Sequence, residues 1–109
     1  MTTFAVIRDA GPAWALGGIY GQPDVDKHAA YMEALAARGS LLLAGPLNGS
    51  EGGRVRVLLV FEAQDEADIH RQLGADPWAK TGQLNTTRVE PWKLLVGAER
   101  LQTRAIPRP

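Results

Sequence analysis

Residues 40–61 read SLLLAGPLNGSEGGRVRVLLVF, and this stretch decides the fold class. Two apolar runs, residues 40–47 and 54–61, flank a segment built from Asn, Gly, Ser and Glu. Because residues of these types form tight turns, the stretch predicts two antiparallel strands joined as a hairpin. Pro46 has no N–H to donate to a sheet ladder, so we place it at a strand end or at a sheet edge.

The segments on either side of the hairpin show further strand and helix patterns. Their apolar spacing predicts five more elements: a strand at residues 3–8, a helix at 24–38, a helix at 65–74, a short helix at 76–82 and a strand at 86–92. With the short helix set aside, the order is strand, helix, strand, strand, helix, strand. This order predicts an α+β fold of the ferredoxin-like βαββαβ type. The glycine-rich segment at residues 10–22 predicts a long loop with a functional or mobile role.

Acidic residues and glycines mark the ends of the predicted helices. Asp24, Asp65 and Asp76 each precede a helical segment, where a carboxylate accepts hydrogen bonds from the free N–H groups of the first turn. Gly39 and Gly82 follow the last helical residues and supply the backbone freedom that ends a helix. We therefore predict three capped helix starts and two glycine stops.

The strand at residues 54–61 predicts a second copy of the chain. Residues 57–61 are apolar at every position, which is typical of a strand buried on both faces. Two helices cover only one face of a four-stranded sheet, so the other face needs a partner. We therefore expect a homodimer joined sheet to sheet, a dimeric α/β barrel.

Length and composition limit the classes of protein that this chain fits. Its 109 residues suit one domain, which we place at residues 1–96, and we expect the polar C-terminal tail at 97–109 to be an arm or disordered. Twelve Lys and Arg balance twelve Asp and Glu, so no basic surface predicts nucleic-acid binding. The sequence has neither a bilayer-length apolar run nor a secretion signal, and we therefore expect a cytoplasmic protein without a membrane partner.

The chemistry available to the chain is also limited. There is no cysteine, and His28 and His70 are the only histidines. Thiolate metal sites, cysteine nucleophiles and a three-histidine metal centre are excluded for a single chain. No phosphate-binding glycine motif occurs. We therefore expect no metal and no cofactor.

Two residues remain as candidates for catalysis, His28 in the first helix and Asp76 before the short helix. Each also has an ordinary structural interpretation. A histidine on the inner face of a helix is often a hydrogen-bonded core residue, and Asp before Pro is often only a cap. Residue types and spacing alone favour these structural interpretations.

Four short segments, taken in order, resemble a known family. They are HAAYM at residues 28–32, RGSLLLAGPL at 38–47, ADPW at 75–78 and VEPW at 89–92. This ordered set resembles the YCII-related (YciI-like) family, and the likeness extends over residues 4–96. The resemblance implies a dimeric α/β barrel with a His-Asp dyad, which falls on His28 and Asp76 here. Trp78 departs from the Phe or Tyr that is frequent at its position in the family.

The resemblance also implies a reaction class. We expect cofactor-free proton abstraction by His28, followed by elimination, as in a dehydrochlorinase, or by isomerisation of a small aromatic or lactone-like metabolite. The segments that carry the resemblance supply the expected substrate-binding residues, which are Tyr31, Gly45, Pro46, Pro77 and Trp78. For Tyr31 and Trp78, plain core packing fits equally well. A non-catalytic small-molecule binding or regulatory module of the same fold remains the alternative, because fold alone does not fix function.

Overall fold

The structure is a computed structural model that describes the backbone of residues 1–105 and the side chains of residues 1–101. Within residues 1–105, four strands and four α-helices follow one another: β1 (Thr2–Ala10), α1 (Val25–Ala37), β2 (Leu41–Pro46), β3 (Arg56–Ala63), α2 (Glu66–Gly74), α3 (Pro77–Lys80), β4 (Leu84–Pro91) and α4 (Ala98–Ala105). The predicted order of six elements is present, with α3 inserted before the last strand.

The four strands form one sheet in the order β2-β3-β1-β4, and every neighbouring pair is antiparallel. The hairpin predicted from residues 40–61 is the β2–β3 pair, in which Leu41 lies opposite Phe61 and Pro46 opposite Val57. Pro46 ends an edge strand, as expected. The small α+β fold with an antiparallel sheet is therefore confirmed.

The central strand β1 sets the length of its neighbours. It pairs along its whole length, from Thr2 opposite Ala63 to Ala10 opposite Leu84. The last strand consequently begins at Leu84, two residues before the predicted start at residue 86. The pairing with β4 changes register between Ile7 and Arg8, which marks a bulge in that ladder.

The core lies between one face of the sheet and the helices α1 and α2. Alternate residues of β1 and β3 point into it, and they meet apolar side chains from the two helices; this set includes Phe4, Val6, Leu59, Phe61, Leu35, Ile69 and Leu73. Each is less than 5% exposed. Because full burial of such a side chain contributes about 1.5–3 kcal/mol, this layer fixes α1 against the sheet.

Two of the three predicted caps are confirmed. Asp65 accepts a hydrogen bond from the Asp68 N–H at 2.9 Å, and Asp76 accepts one from the Trp78 N–H at 3.1 Å. The prediction was wrong for Asp24, whose side chain accepts no capping hydrogen bond. Its backbone is left-handed, with φ 58°, whereas a capping residue is normally extended so that its side chain reaches the free N–H groups.

A close backbone contact ties the long loop to the end of α3. The N–H of Gly11 donates to the Gln83 carbonyl at 2.7 Å, and the N–H of Ala13 donates to the Gly82 carbonyl at 3.0 Å. A Cβ atom at Gly11 would lie 2.2 Å from the Gly82 carbonyl oxygen, so only glycine fits there. This contact holds Trp14 beside α3.

The expectation of disorder after residue 96 was wrong for residues 98–105, which form α4, and the expectation of an arm stays a prediction. Gly97, with φ 83°, turns the chain, and the helix lies against β2. Leu101 is partly buried in a surface groove that Leu42 and Trp92 also line. This apolar contact stabilises α4, whose residue composition alone would not stabilise a helix of this length. Residues 106–109 lie outside the described residues, and the domain boundary at residue 96 stays a prediction.

The second face of the sheet lies opposite the core. It carries Ala5 and Ile7 of β1 opposite Val60 and Leu58 of β3. Val60 is buried, whereas Ala5, Ile7 and Leu58 are only partly buried. Across the part of the chain that the structure describes, none of the helices has the length and apolar character that a bilayer span requires.

Candidate active site

The side chains of Arg8, His28 and Asp76 meet between the sheet and the helices. Arg8 comes from β1, His28 from the first turns of α1, and Asp76 precedes α3. The Nδ1 atom of His28 lies 2.9 Å from Oδ1 of Asp76, and Nη1 of Arg8 donates to Oδ2 of Asp76 at 2.7 Å. Residues that are 48 and 68 positions apart thus form one cluster around a carboxylate.

The carboxylate of Asp76 is held from three directions. Its side chain is fully buried, and Oδ1 accepts the Trp78 N–H at the start of α3 as well as the contact from His28. Its Oδ2 accepts from Arg8 and lies 3.0 Å from His28 Nδ1. The same side chain therefore starts a helix, neutralises a buried arginine and orients the imidazole.

Burial alone would raise the pKa of the Asp76 carboxyl, because the charged form loses its water. The hydrogen bonds from His28 and Arg8, together with their positive charges, outweigh burial and hold this pKa below its usual range. Asp76 is therefore ionised at neutral pH and only accepts hydrogen bonds. In the neutral imidazole of His28, the proton accordingly lies on Nδ1, and Nε2 is left with a free lone pair.

The indole of Trp78, which packs against Trp14, fixes the plane of the imidazole. The ring of His28 stacks on the indole of Trp78, with centroids 3.9 Å apart and planes inclined by 7°. Trp78 is 1% exposed, and its Nε1–H donates to the Pro23 carbonyl at 2.7 Å. Trp14 meets Trp78 edge to face, with centroids 5.9 Å apart. His28 thus has a packed ring on one side and a carboxylate at Nδ1.

A cavity of about 180 Å³ lies beside this cluster. His28 and Arg8 are the titratable side chains in its wall, and the rest of the wall is mainly apolar. The side chain of His28 keeps 16% of its surface exposed, whereas Arg8 and Asp76 keep 1% or less. The imidazole is therefore the exposed member of a buried charged group.

The expected substrate-binding residues divide into two sets. Trp78, Gly45 and Pro46 line the cavity together with His28. Tyr31 and Pro77 do not line it: the Tyr31 hydroxyl donates to the Gln72 carbonyl at 2.6 Å, and Pro77 is the first residue of α3. Asp76 lies behind the imidazole rather than in the wall. The catalytic and binding roles of these residues stay predictions.

Sequence reasoning missed Arg8 and Trp14, which both line the cavity. Arg8 had a usable signal, because Phe4, Val6 and Arg8 alternate along β1 and therefore share its buried face. An arginine at such a position needs a buried carboxylate as a partner. Trp14 lies in the loop whose length already suggested a functional role, but its contact with Trp78 depends on tertiary structure.

Across residues 1–101, no group of three or more His, Cys, Asp or Glu side chains is placed to hold a metal ion. The groups that can exchange protons or bind a charged ligand at the cavity are those of His28 and Arg8. The arrangement can thus perform acid–base chemistry at Nε2 of His28 beside a fixed positive charge.

Comparison with known proteins gives a matching family and a similar solved structure. The chain matches the family described as YCII-related domain over residues 10–93, which include His28, Asp76 and both hairpin strands. Its structure is similar to that of 5-chloro-2-hydroxyhydroquinone dehydrochlorinase from Burkholderia phenoliruptrix, solved in complex with 2,5-dihydroxybenzoquinone. The two share 28% sequence identity with a TM-score of 0.61, over 84% of this chain and 93% of the dehydrochlorinase chain. No curated protein sequence matches. The family match covers more than half of the chain, and this chain therefore belongs to the YCII-related domain family.

Proposed function

We propose that this protein is a small-molecule enzyme in which His28 is the general base and Asp76 orients it. The observation that carries the proposal is the 2.9 Å contact between His28 Nδ1 and Asp76 Oδ1, made beside an apolar cavity. A buried carboxylate at Nδ1 fixes the tautomer that leaves Nε2 free, and it stabilises the imidazolium when a proton arrives. The reaction class is elimination or isomerisation of a small aromatic or lactone-like metabolite.

The chemical step needs a base and an oriented substrate. Nε2 of His28 takes a proton from a carbon or hydroxyl group next to a carbonyl of the substrate. The electron pair of the broken bond forms a new double bond, and a leaving group such as chloride departs with its own bonding pair. In an isomerisation, the double bond shifts and His28 returns the proton to another atom of the substrate.

The similarity to the dehydrochlorinase supports this reaction class. That protein removes the elements of hydrogen chloride from a chlorinated hydroquinone, and it was solved with a quinone of one ring. The cavity here is similar in scale to one ring, since an engineered apolar cavity of roughly 150 Å³ admits benzene. A ring-sized substrate with ionisable oxygens fits both observations.

We also propose that the chain works as a homodimer that completes an α/β barrel. The second sheet face carries partly buried Ala5, Ile7 and Leu58 next to Leu43, which is 46% exposed. Apolar side chains in the middle of a sheet face are stabilised when a second copy covers them. A two-fold arrangement lets the same face serve both partners.

The test of catalysis compares two histidine substitutions. His28→Gln removes the base, whereas His70→Gln removes a surface histidine that pairs with Glu66 on α2. With 5-chloro-2-hydroxyhydroquinone and a panel of lactones as substrates, we expect chloride release or isomer formation with the unaltered protein and with His70→Gln. The rate with His28→Gln should fall by at least roughly 100-fold.

Equal turnover by His28→Gln and the unaltered protein would show that His28 is not the base. Binding of these compounds without any turnover, unchanged in His28→Gln, would instead favour the non-catalytic binding module.

A further inference from the structure

One edge of the Arg8 guanidinium has no partner. Arg8 is 1% exposed, and its Nη1 donates to Oδ2 of Asp76 at 2.7 Å. Its Nε and Nη2 are buried and make no hydrogen bond. These two nitrogens form the side edge of the guanidinium, where two N–H groups point in the same direction. This edge matches a pair of neighbouring oxygen acceptors better than any other side-chain donor does.

The surroundings of Arg8 offer few acceptors to this edge. Arg8 lines the cavity next to His28, Trp14 and Trp78, and no acidic side chain lines the cavity among the described residues. The oxygens of Asp76 are already taken by Arg8 Nη1, His28 Nδ1 and the Trp78 N–H. Because a buried cationic donor without an acceptor is unfavourable, a ligand that brings oxygen atoms to this edge gains a strong interaction.

We propose that the Nε–Nη2 edge of Arg8 binds two neighbouring, coplanar oxygens of a ring-sized organic anion. The simplest such group is a carboxylate, and a carbonyl next to an enolate on one ring has the same arrangement of acceptors. The inference rests on the proposed function for one point, that this anion is the substrate or product on which His28 acts.

The neighbouring side chains suit such a ligand. The indoles of Trp14 and Trp78 supply apolar walls for a ring, and Gly45 leaves one side of the cavity without a side chain. The position of the positive charge also suits the chemistry. When His28 removes a proton next to a carbonyl, negative charge builds on the carbonyl oxygen, and a fixed guanidinium lowers the energy of that charge. Arg8 would therefore bind the ligand and stabilise the reacting state.

The first experiment uses the unaltered protein, so it does not depend on the folding of a variant. Isothermal titration calorimetry would compare benzoate with benzamide and benzyl alcohol, and it would include 2,5-dihydroxybenzoquinone as a ring with adjacent carbonyl and enolate oxygens. We expect at least one of the two anions to bind roughly 10-fold or more tightly than both neutral rings. Binding of benzoate alone identifies a carboxylate site, and binding of the quinone alone identifies a carbonyl–enolate site. Equal binding of charged and neutral rings, or no binding of either anion, would overturn the inference.

The second experiment removes the two parallel N–H groups of Arg8 and keeps the positive charge. Arg8→Lys retains a cation next to Asp76 but lacks the two parallel N–H groups. Arg71→Lys is the matched control, because Arg71 also pairs with an aspartate, Asp68, but on the surface of α2. We expect Arg8→Lys to weaken anion binding roughly 10-fold or more and Arg71→Lys to leave it unchanged. Unchanged anion binding by a folded Arg8→Lys protein would contradict the inference.

His28→Gln separates this inference from the proposed function. If His28 is not the base, His28→Gln keeps its turnover while Arg8→Lys still loses anion binding. If Arg8 does not bind the anion, the protein binds charged and neutral rings equally well. This result does not depend on the effect of His28→Gln on turnover.

Discussion

The imidazole of His28 lies flat on the indole of Trp78, 3.9 Å from centroid to centroid, while Asp76, two residues before Trp78, holds its Nδ1 atom at 2.9 Å. The stacking fixes the plane of the ring, and the hydrogen bond fixes its rotation within that plane. Together they determine where Nε2 points.

Substitution of Trp78 should therefore lower the stability of the protein. Trp78→Ala removes a fully buried indole, and we expect a loss of about 3–5 kcal/mol in the free energy of unfolding, measured by urea denaturation. Trp78→Phe keeps an aromatic face for the imidazole but loses the hydrogen bond to the Pro23 carbonyl, so its loss should be smaller, about 1–3 kcal/mol. Equal losses for the two variants would show that the stacked ring contributes little.

The pH dependence of stability follows from Asp76. Its pKa is lower in the folded state than in the unfolded chain, so it contributes stability that is complete above about pH 5. This contribution is lost as the pH falls below about 4 and through the lower folded value, because the unfolded chain then binds the proton first.

We therefore expect Asp76→Asn to lose about 3–5 kcal/mol near pH 7, since Arg8 is left without its buried counter-charge. The difference from the unaltered protein should shrink as the pH falls below about 4. Asp26→Asn, at an exposed position of α1, is the control and should change little. A difference that stays constant from neutral to acid pH would show that Asp76 titrates normally.

The tautomer of His28 is open to direct measurement. In the neutral ring we expect the proton on Nδ1, because the ionised carboxylate of Asp76 only accepts. Asp76→Asn introduces an amide N–H that can donate to Nδ1, so a larger fraction of His28 should carry its proton on Nε2. The ¹⁵N chemical shifts of the imidazole distinguish the two forms, and His70 gives the reference for a surface histidine. Identical His28 shifts in both proteins would show that Asp76 does not select the tautomer.

The proposed dimer predicts an apparent mass of about twice 11.8 kDa in sedimentation velocity at micromolar concentration. Ile7→Glu places a charge in the middle of the second sheet face, and we expect it to shift the protein to the monomer. Ala67→Glu, at an exposed position of α2, adds the same charge outside that face and should leave the mass unchanged. A monomer in the unaltered protein would contradict the dimer and the barrel together.

Local sequence signals predicted those parts of the fold that depend on neighbouring residues. The turn between residues 47 and 54 and the caps at Asp65 and Asp76 involve contacts within a few positions, so composition and spacing were sufficient. The cap prediction failed at Asp24 because the backbone of this residue is left-handed. The residue type alone does not report that conformation.

The site depended more on contacts between distant elements. His28 and Asp76 were found through a family resemblance, and their contact joins α1 to the start of α3. Arg8 was missed because a single charged residue at the end of an apolar strand looks like an exposed end, although its alternation with Val6 turns it inward. Tyr31 was expected at the cavity, but its hydroxyl finds the Gln72 carbonyl of α2 instead. The residue pattern of a helix does not show towards which of two neighbouring faces of that helix a partly buried ring points.

The shortness of α3 affects how the site responds to motion. Asp76, which holds Nδ1 of His28, and Trp78, on which the imidazole stacks, are two residues apart on one rigid turn. The side chain of Asp76 also caps this turn. If thermal fluctuation moves this turn, the carboxylate of Asp76 and the indole of Trp78 move together. The two groups that contact the imidazole therefore keep their positions relative to each other, and only a shift between α1 and α3 changes how His28 meets them.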